Sequence, residues 1–524
     1  MSDSKSLSPL AHFVFQSFIE DEKVNYDESK ITVNPIVSKF ASWYEKLRNA
    51  MEFREDEVVL RATIERILKR RLLLGGNGKT TAIPLVKELL WARYLPNNEI
   101  PERIANKVEE SIDLHLSLRL KVMEQHKIPD RIINEWIYDL MSSDIQYIIN
   151  PKRKKEVMAN FMFHVLRDDV VINDEKEETK DAQVFMAVRR AYAKDDLAFL
   201  RYHLFCQYFG KLTNQTLEHT ATHFLKGYQE IINELNYPLK DRIYTYAKRR
   251  SAAFVILEDV LNANEEKLKT VLESPVELEK EILAACKVRY KSISSKVRRA
   301  IIRSVFFILL TKVAFAFAVE GTFEKLVYGR ILIPSMVINI AIPPLLMVIV
   351  GVLIRTPGEK NSRQILEFIH QLLYAENPQL GNQLIMIKNQ KRSKVLHVVF
   401  DILWLTAFVI SFGAITVILT KLQFNIVSQF VFTFFLAIVS FLAYRIGILA
   451  SVYRVGDRQG LFTLLVDFLF MPIIRVGRDL TTGIAQINIF LYFFDFLIEA
   501  PFKLLFAFFD QWFYYLRGRS EELE

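Results

Sequence analysis

Four side chains between positions 203 and 223 have the types and spacing of zinc ligands. They are His203, Cys206, His219 and His223, with two, twelve and three residues between successive members. Histidine nitrogen and cysteine sulfur bind tetrahedral Zn²⁺, and each pair would share one helical face. However, the run DDLAFLRYHLFCQYFG around the first pair predicts a helix instead of the hairpin of a zinc finger. We therefore predict histidines on the faces of an ordinary core, and no bound metal.

The run LLGGNGKTT resembles the end of a phosphate-binding loop, because Gly78, Lys79 and Thr80 match its last three positions. Such a loop also needs an opening glycine and a buried strand before it. Leu73 occupies the opening position here, and the preceding ATIERILKRRLLL predicts a basic amphipathic helix. The sequence therefore predicts a glycine-rich helix end and turn, with Pro84 near the start of the next helix and no bound nucleotide.

Other signs of catalysis or cofactor binding are missing from the sequence. There is no GxSxG elbow, no convincing pair of catalytic carboxylates and no glycine-rich dinucleotide turn after a strand. Two cysteines in 524 residues exclude a disulfide framework. The net charge of +8 comes from basic residues crowded beside apolar segments, so we expect no nucleic-acid partner.

Three charged residues lie inside long apolar segments, namely Lys312, Asp401 and Arg445. A charge at the centre of a bilayer costs at least about 2.5 kcal/mol, so Lys312 is expected to face protein or water with a partner. Asp401 and Arg445 are near the predicted inner end, where they can snorkel or pair with each other. These charges are the basis for a transporter or channel as the alternative function.

A polar stripe runs along an otherwise apolar segment from Ile484 to Leu516. Its members fall within an arc of about 80° on a helical projection, and they are Asn488, Asp495, Glu499, Lys503 and Asp510. Either this helix lies flat in the inner interface with its stripe in water, or it spans and the stripe faces a hydrated cavity or a partner helix. We favour the flat orientation, because Pro501 would bend a spanning helix midway.

A basic run precedes the first apolar segment. It consists of Lys287, Arg289, Lys291, Lys296, Arg298, Arg299 and Arg303. Such a run keeps its side of the membrane cytoplasmic, and it would also hold anionic lipid headgroups.

Helices that cross the membrane must position several of these residues. Four segments are long enough to cross a bilayer, because about 20 apolar residues span its hydrocarbon core. They are Ile301 to Val319, Ile331 to Ile354, Val395 to Leu419 and Ile426 to Ala450. By contrast, Leu461 to Ile474 is short and contains Asp467 and Pro472, which predicts a re-entrant or interfacial segment.

Lysine and arginine counts predict the orientation of these spans. Seven basic residues precede the first span and seven lie in the loop 355–394, against two in the loop 321–330 and one after the third span. The positive-inside rule then places the N-terminal region, the loop 355–394 and both termini in the cytoplasm. Because no targeting peptide is recognisable, we expect a bacterial inner (plasma) membrane.

The sequence of the N-terminal half predicts helices almost throughout. The run RIINEWIYDLMSSDIQYII places apolar residues one, three and four positions apart, which predicts one buried helix face. Ser274, Pro275 and Glu277 predict a capped helix start. The acidic run DDVVINDEKEETKD at 168–181 predicts a flexible loop or a subdomain boundary.

Together these patterns predict an all-α chain. A helical cytosolic domain (1–285) is followed by a polybasic segment (286–303), four transmembrane helices (304–450) and interfacial or re-entrant helices (451–524). Two functions are consistent with this organisation. The favoured one is a membrane-anchored helical interaction, scaffold or sensor module that contacts the bilayer and a protein partner or a second copy; the other is a transporter or channel.

Overall fold

The computed structural model of this protein describes residues 7–19, 29–51, 56–73, 75–173, 175–264, 267–329, 333–375, 383–387, 394–455, 461–486 and 500–521. The structure is 83% helical with almost no sheet, which confirms the predicted all-α class. The described residues form two compact units. The N-terminal unit draws on Ser6–Leu261, Gln371–Lys388 and Phe493–Glu524, and the apolar unit on Asn262–His370 and Asn389–Tyr492.

The N-terminal unit is built mainly from helices, many of which contribute to one hydrophobic core. Its helices are α1 (Pro9–Ile19), α2 (Pro35–Met51), α3 (Asp56–Leu73), α4 (Gly78–Trp91), α5 (Glu102–Gln125), α6 (Asp130–Ile149), α7 (Arg153–Arg167), α8 (Glu177–Val188), α9 (Leu197–Phe209), α10 (Leu217–Leu235) and α11 (Lys240–Ala263). A π-helical segment, Arg189–Ala193, follows α8.

The core of this unit is organised around α6. Its predicted apolar face is confirmed: Trp136, Ile137 and Leu140 are buried. The Trp136 ring packs against Phe224 and Tyr228, with ring centroids 6.3 and 4.9 Å apart. The amphipathic pattern therefore marked the correct face.

The acidic segment 168–181 differs from its prediction as a loop. Val170–Asn173 forms strand β1, which pairs in parallel with strand β2 (Leu384–Ile387), from Val170 opposite Leu384 to Asn173 opposite Ile387. Helix α8 then begins at Glu177. Alternating burial along β1 shows why a strand forms: Val170 and Ile172 are buried between exposed neighbours.

The apolar unit contains the longest described helix, α13 (Pro275–Phe315). Its other helices are α12 (Leu268–Glu273), α14 (Thr322–Tyr328), α15 (Ile333–Leu353), α16 (Glu359–Tyr374, whose last residues belong to the N-terminal unit), α17 (Lys394–Lys421), α18 (Ile426–Ala450) and α19 (Leu461–Gln486). The last helix of the N-terminal unit is α20 (Ala500–Glu521).

Helix α13 starts where the sequence predicts. The Ser274 hydroxyl accepts a hydrogen bond from the Glu277 amide at 3.4 Å, and Pro275 is the first helical residue. A π-helical segment, Ala316–Gly321, joins α13 to α14, so that 54 residues form one continuous rod. The prediction that a loop begins at residue 321 was therefore wrong. The helix continues to Tyr328 and is ended by Gly329, whose φ of +65° is typical of a helix C-cap.

Within the described residues, four helices are long and apolar enough to cross a membrane: the rod from Pro275 to Tyr328, Met336–Leu353, Val398–Lys421 and Ile426–Ala450. Each contains or overlaps one of the four predicted apolar segments. Helices α13, α15 and α18 share a core, in which Ile308, Met347 and Phe435 are buried. Outside this core many large apolar side chains are exposed, among them Phe306, Val352 and Phe430.

Helix α19 is longer than predicted, because the apolar segment that begins at Leu461 stays helical to Gln486. It packs along α17 in antiparallel orientation. The Ser411 hydroxyl of α17 donates to the Leu469 carbonyl at 2.5 Å, and Arg475 lies 5.4 Å from the Trp404 ring one to two turns further along.

Helix α19 also approaches the backbone of α18 closely. A Cβ added at Gly477 would stand 1.9 Å from the carbonyl oxygen of Ala437. The absence of a side chain at Gly477 thus permits this contact in the middle of α18.

Candidate functional site

The most unusual group in the apolar unit is Lys312, which is completely buried in α13. Its ammonium group donates to the Glu320 carboxylate at 2.6 Å. The same ammonium lies 5.1 Å from the centroid of the Phe435 ring in α18. The sequence predicted a partnered lysine facing protein or water, and the structure gives it a protein partner.

Glu320 is held by more than Lys312. It also accepts hydrogen bonds from the Asn339 side-chain amide of α15 and, at 3.4 Å, from the Ser428 hydroxyl of α18. All of these side chains are buried. Three helices therefore converge on one carboxylate. Within the described residues the Asn339 Oδ1 atom has no hydrogen-bond partner.

A second buried carboxylate lies one helical turn beyond Glu320. Glu324 accepts from the Asn425 side-chain amide at 2.9 Å. Asn425 caps α18, since its side-chain oxygen accepts from the Ser428 amide at 2.8 Å. We refer to Lys312, Glu320, Glu324, Asn339, Asn425 and Ser428 as the buried charge cluster.

The π-helical segment explains how these charges come to share a face. In an uninterrupted α-helix, Glu320 and Glu324 would lie about 80° and about 120° around the axis from Lys312. A π-bulge adds about one residue to the turn, which rotates both carboxylates back to within roughly 20° of Lys312. Sequence reasoning missed both carboxylates because it assumed that the helix ended at Val319.

The other two charges predicted inside spans do not join the cluster. Asp401 is exposed on α17, and the guanidinium of the half-buried Arg445 lies 5.9 Å from the Phe441 ring. The expectation that these two charges snorkel or pair with each other stays a prediction.

The basic run on α13 divides into two kinds of residue. Arg289 donates to the Tyr453 hydroxyl at 3.2 Å and lies beside its ring. The remaining members are exposed: Lys287, Lys291, Lys296, Arg298, Arg299 and Arg303. Arg289 thus has a contact within the apolar unit, whereas the binding of headgroups by the other six stays a prediction.

The predicted polar stripe is only partly within the described residues. Asn488, Asp495 and Glu499 lie outside them, and Lys503 belongs to α20. Asp510 was expected in water, but it is buried and accepts a hydrogen bond from the Asn34 amide at 2.7 Å. The polar edge of α20 at Asp510 therefore faces protein.

The phosphate-loop lookalike is a helix end followed by a helix start. Gly75 has φ +83° and its amide donates to the Leu72 carbonyl, as the predicted glycine-rich turn requires. The Gly78 amide donates to the Asp113 carboxylate at 2.8 Å, so a carboxylate occupies the place of a phosphate. Lys79 is exposed and Thr80 completes a capping box with Asn77.

One detail of that prediction was wrong. Pro84 was expected near the start of the following helix, whereas α4 begins six residues earlier, at Gly78.

The four zinc-like residues are placed on different surfaces. His203 contacts the Tyr147 hydroxyl at 3.1 Å and Asp195 at 3.2 Å, whereas His219 and His223 are exposed on α10. Burial raises the pKa of the Cys206 thiol to about 11, so the thiol stays neutral. Among the residues that the structure describes, no group of three or more His, Cys, Asp or Glu side chains is arranged to hold a metal ion.

A buried ionic network surrounds the π-helical segment Arg189–Ala193 of the N-terminal unit. The Arg189 guanidinium donates to Glu156 at 2.5 Å and to Asp195 at 2.6 Å. Burial opposes ionisation of Asp195, but the hydrogen bond from His203 and the charge of Arg189 outweigh it and hold its pKa below the usual range.

A cavity of about 340 Å³ opens beside this network. Met186, Leu200 and Leu235 form part of its apolar lining, and Arg190, Lys240 and Glu234 are among its charged groups. Burial raises the pKa of Glu234 above its usual value. This volume is in the range of small-molecule sites. However, each of these three charged side chains already has a hydrogen-bond partner within the unit.

No protein-family model, curated protein or solved structure matches this chain.

Proposed function

We propose that this protein is a multi-pass membrane protein whose apolar helices anchor a helical interaction, scaffold or sensor module. The module is the N-terminal unit, on the cytoplasmic side of a bacterial inner membrane. Its partners are the bilayer, including anionic lipids, and a protein partner or a second copy of the chain. The basic run on α13 supports this orientation, because lysine and arginine mark the inner side.

One observation carries the proposal: in the buried charge cluster Lys312 bonds to Glu320, and Glu324 accepts from Asn425, inside packed helices. Lys312 and Glu320 are 0% and 1% exposed, and Asn339 and Ser428 complete the bonds to Glu320. A transport pathway would need such groups to line a hydrated cavity. Buried groups that bond only within the helix bundle suit an anchor, because their bonds hold the three helices in one register.

A transporter or channel remains the second candidate on a specific observation. The π-helical segment aligns Lys312, Glu320 and Glu324 along one face of the rod. Lines of ionisable groups and π-bulges both occur in membrane proteins at functional sites. In that case the closed cluster would be one state of a site that opens.

Cysteine accessibility separates the two candidates. Ser428→Cys and Asn339→Cys are introduced after Cys206 and Cys286 have been replaced by alanine. Small charged thiol reagents are then added from either side of sealed vesicles. An anchor predicts no labelling at either position from either side, because both side chains are buried.

Gln423→Cys is the matched control, since Gln423 is exposed in the turn just before the Asn425 cap. It should react readily from one side. Labelling of position 428 or 339 at a rate close to that of position 423 would show water in the bundle and support the transporter instead.

A further inference from the structure

An unusual surface of the N-terminal unit lies on α2. Ile36, Phe40 and Trp43 are 52%, 64% and 65% exposed. At 100° per residue they fall within about 60° of one another, so they form one stripe along the helix. The opposite face of α2 is buried through Val37, Ala41 and Tyr44 and therefore fixes the stripe outward.

Positive charge flanks this stripe. Lys39 and Lys46 are exposed along one edge of it. The nearby acidic residue, Glu45, points the other way: it is buried and bonded to Arg66 at 3.0 Å. The described part of the exposed face thus combines aromatic and aliphatic side chains with lysines and carries no carboxylate.

Helix α20 adds a second apolar face beside the first. It packs beside α2: the Asp510 carboxylate accepts a hydrogen bond from the Asn34 amide, and the Phe506 side chain lies in the core. Apart from Gln511, its described outward side chains are mostly large and apolar: Leu504, Leu505, Phe508, Phe509, Trp512 and Tyr515. Two neighbouring helices therefore leave their apolar faces uncovered in the same unit.

We propose that α2 and α20 form a lipid-binding surface through which the N-terminal unit lies on the anionic inner leaflet. This inference rests on the proposed membrane anchoring, because the apolar helices of the same chain keep a bilayer within reach. Phe40, Trp43 and Phe508 enter the boundary between headgroups and acyl chains, where tryptophan and other amphipathic aromatic residues concentrate. Lys39 and Lys46 bind anionic headgroups.

Charge selects lipid over a second copy as the occupant. A second copy would present the same lysines, whereas phosphatidylglycerol headgroups carry the opposite charge. The two exposed apolar faces also suit a bilayer, because each helix is held to the protein by its opposite face and can lie on the membrane surface with its apolar face in the lipid.

Spin-label accessibility tests this surface in the full chain. Phe40→Cys, Trp43→Cys and Phe508→Cys are each labelled with a nitroxide, with Cys206 and Cys286 replaced by alanine, in nanodiscs of phosphatidylcholine and phosphatidylglycerol. Oxygen concentrates in lipid and a nickel chelate stays in water. We expect an oxygen-to-nickel collision ratio at these positions several times that at Leu120→Cys, a matched control because Leu120 is an exposed apolar residue of α5.

Each contrary result has a distinct meaning. A ratio at positions 40 and 43 equal to that at 120 would overturn the lipid-binding surface. Protection from both reagents would also overturn it, because a protein would then cover the stripe. Phe306→Cys, on the exposed face of α13, reports on the anchor itself: a water-like ratio there would refute the proposed function instead.

The lysines are tested by Lys39→Glu combined with Lys46→Glu. The ratio at position 43 should fall in nanodiscs that contain phosphatidylglycerol and stay unchanged in phosphatidylcholine alone. An equal change in both lipids would contradict the role assigned to the lysines.

Discussion

The pair of Lys312 and Glu320 offers the sharpest test of how the apolar unit is held together. Replacing either residue leaves one buried charge without its partner, whereas replacing both leaves none. The side chains are 0% and 1% exposed and their atoms approach to 2.6 Å. Breaking a buried pair in this way costs about 3–5 kcal/mol, while neutral replacement of both partners is often close to neutral.

We therefore expect Lys312→Met to lower the free energy of unfolding by about 3–5 kcal/mol. Because about 1 kcal/mol moves the melting temperature of a unit of this size by about 2–4 °C, the loss is roughly 6–20 °C. The double variant Lys312→Met with Glu320→Gln should recover most of this loss. Asn339 and Ser428 can still bond to a glutamine at position 320.

The assay is the melting temperature of the detergent-purified chain, followed by fluorescence-detected size exclusion after heating. The single variants and the double variant are compared with the parent chain. Two outcomes would refute the reasoning: a single variant that melts with the parent, which would mean that water already solvates the charge, or a double variant no more stable than Lys312→Met.

Three further predictions use the same melting assay or a binding titration. Gly477→Ala should lower the melting temperature by several degrees, because its Cβ would meet the Ala437 carbonyl at 1.9 Å; an unchanged value would contradict the close packing of α19 on α18. Burial, with a smaller contribution from the charge of Glu65 in α3, raises the pKa of Asp139 in α6 to about 6, so the native state holds that proton more tightly than the unfolded chain. Stability from this group is then full below about pH 4 and is lost as pH rises through about 6, and the melting temperature of the parent relative to Asp139→Asn should fall across that window; a constant difference would refute it. Lys79→Ala should leave the titration with a fluorescent nucleotide identical to that of the parent, whereas saturable binding that disappears in the variant would restore the phosphate-loop hypothesis.

Features that depend on local chemistry or on segment length could be predicted from the sequence. The four apolar helices are recognisable because crossing a bilayer needs about 20 apolar residues in succession. The capped start at Ser274 and the turn at Gly75 follow from side-chain oxygen geometry and from the freedom of glycine at positive φ.

Features that depend on helix continuity or on distant packing could not be predicted. Glu320 and Glu324 face Lys312 only because a π-helical segment rotates them, and a hydropathy profile does not record that rotation. Asp510 looks solvent-facing on a projection of its own helix. It is nevertheless buried, and its carboxylate accepts a hydrogen bond from the Asn34 amide, which is far away in the sequence. Strand β1 likewise needs a partner from residues 384–387.

Membrane crossing in the proposed orientation is the central claim, and two-sided labelling of single cysteines tests it most directly. Lys296, Glu359 and Gln423 are exposed and lie before the first, after the second and after the third apolar segment. In sealed vesicles an impermeant thiol reagent should label Lys296→Cys and Glu359→Cys only from the cytoplasmic side, and Gln423→Cys only from the opposite side. Labelling of Glu359→Cys and Gln423→Cys from the same side would contradict the account.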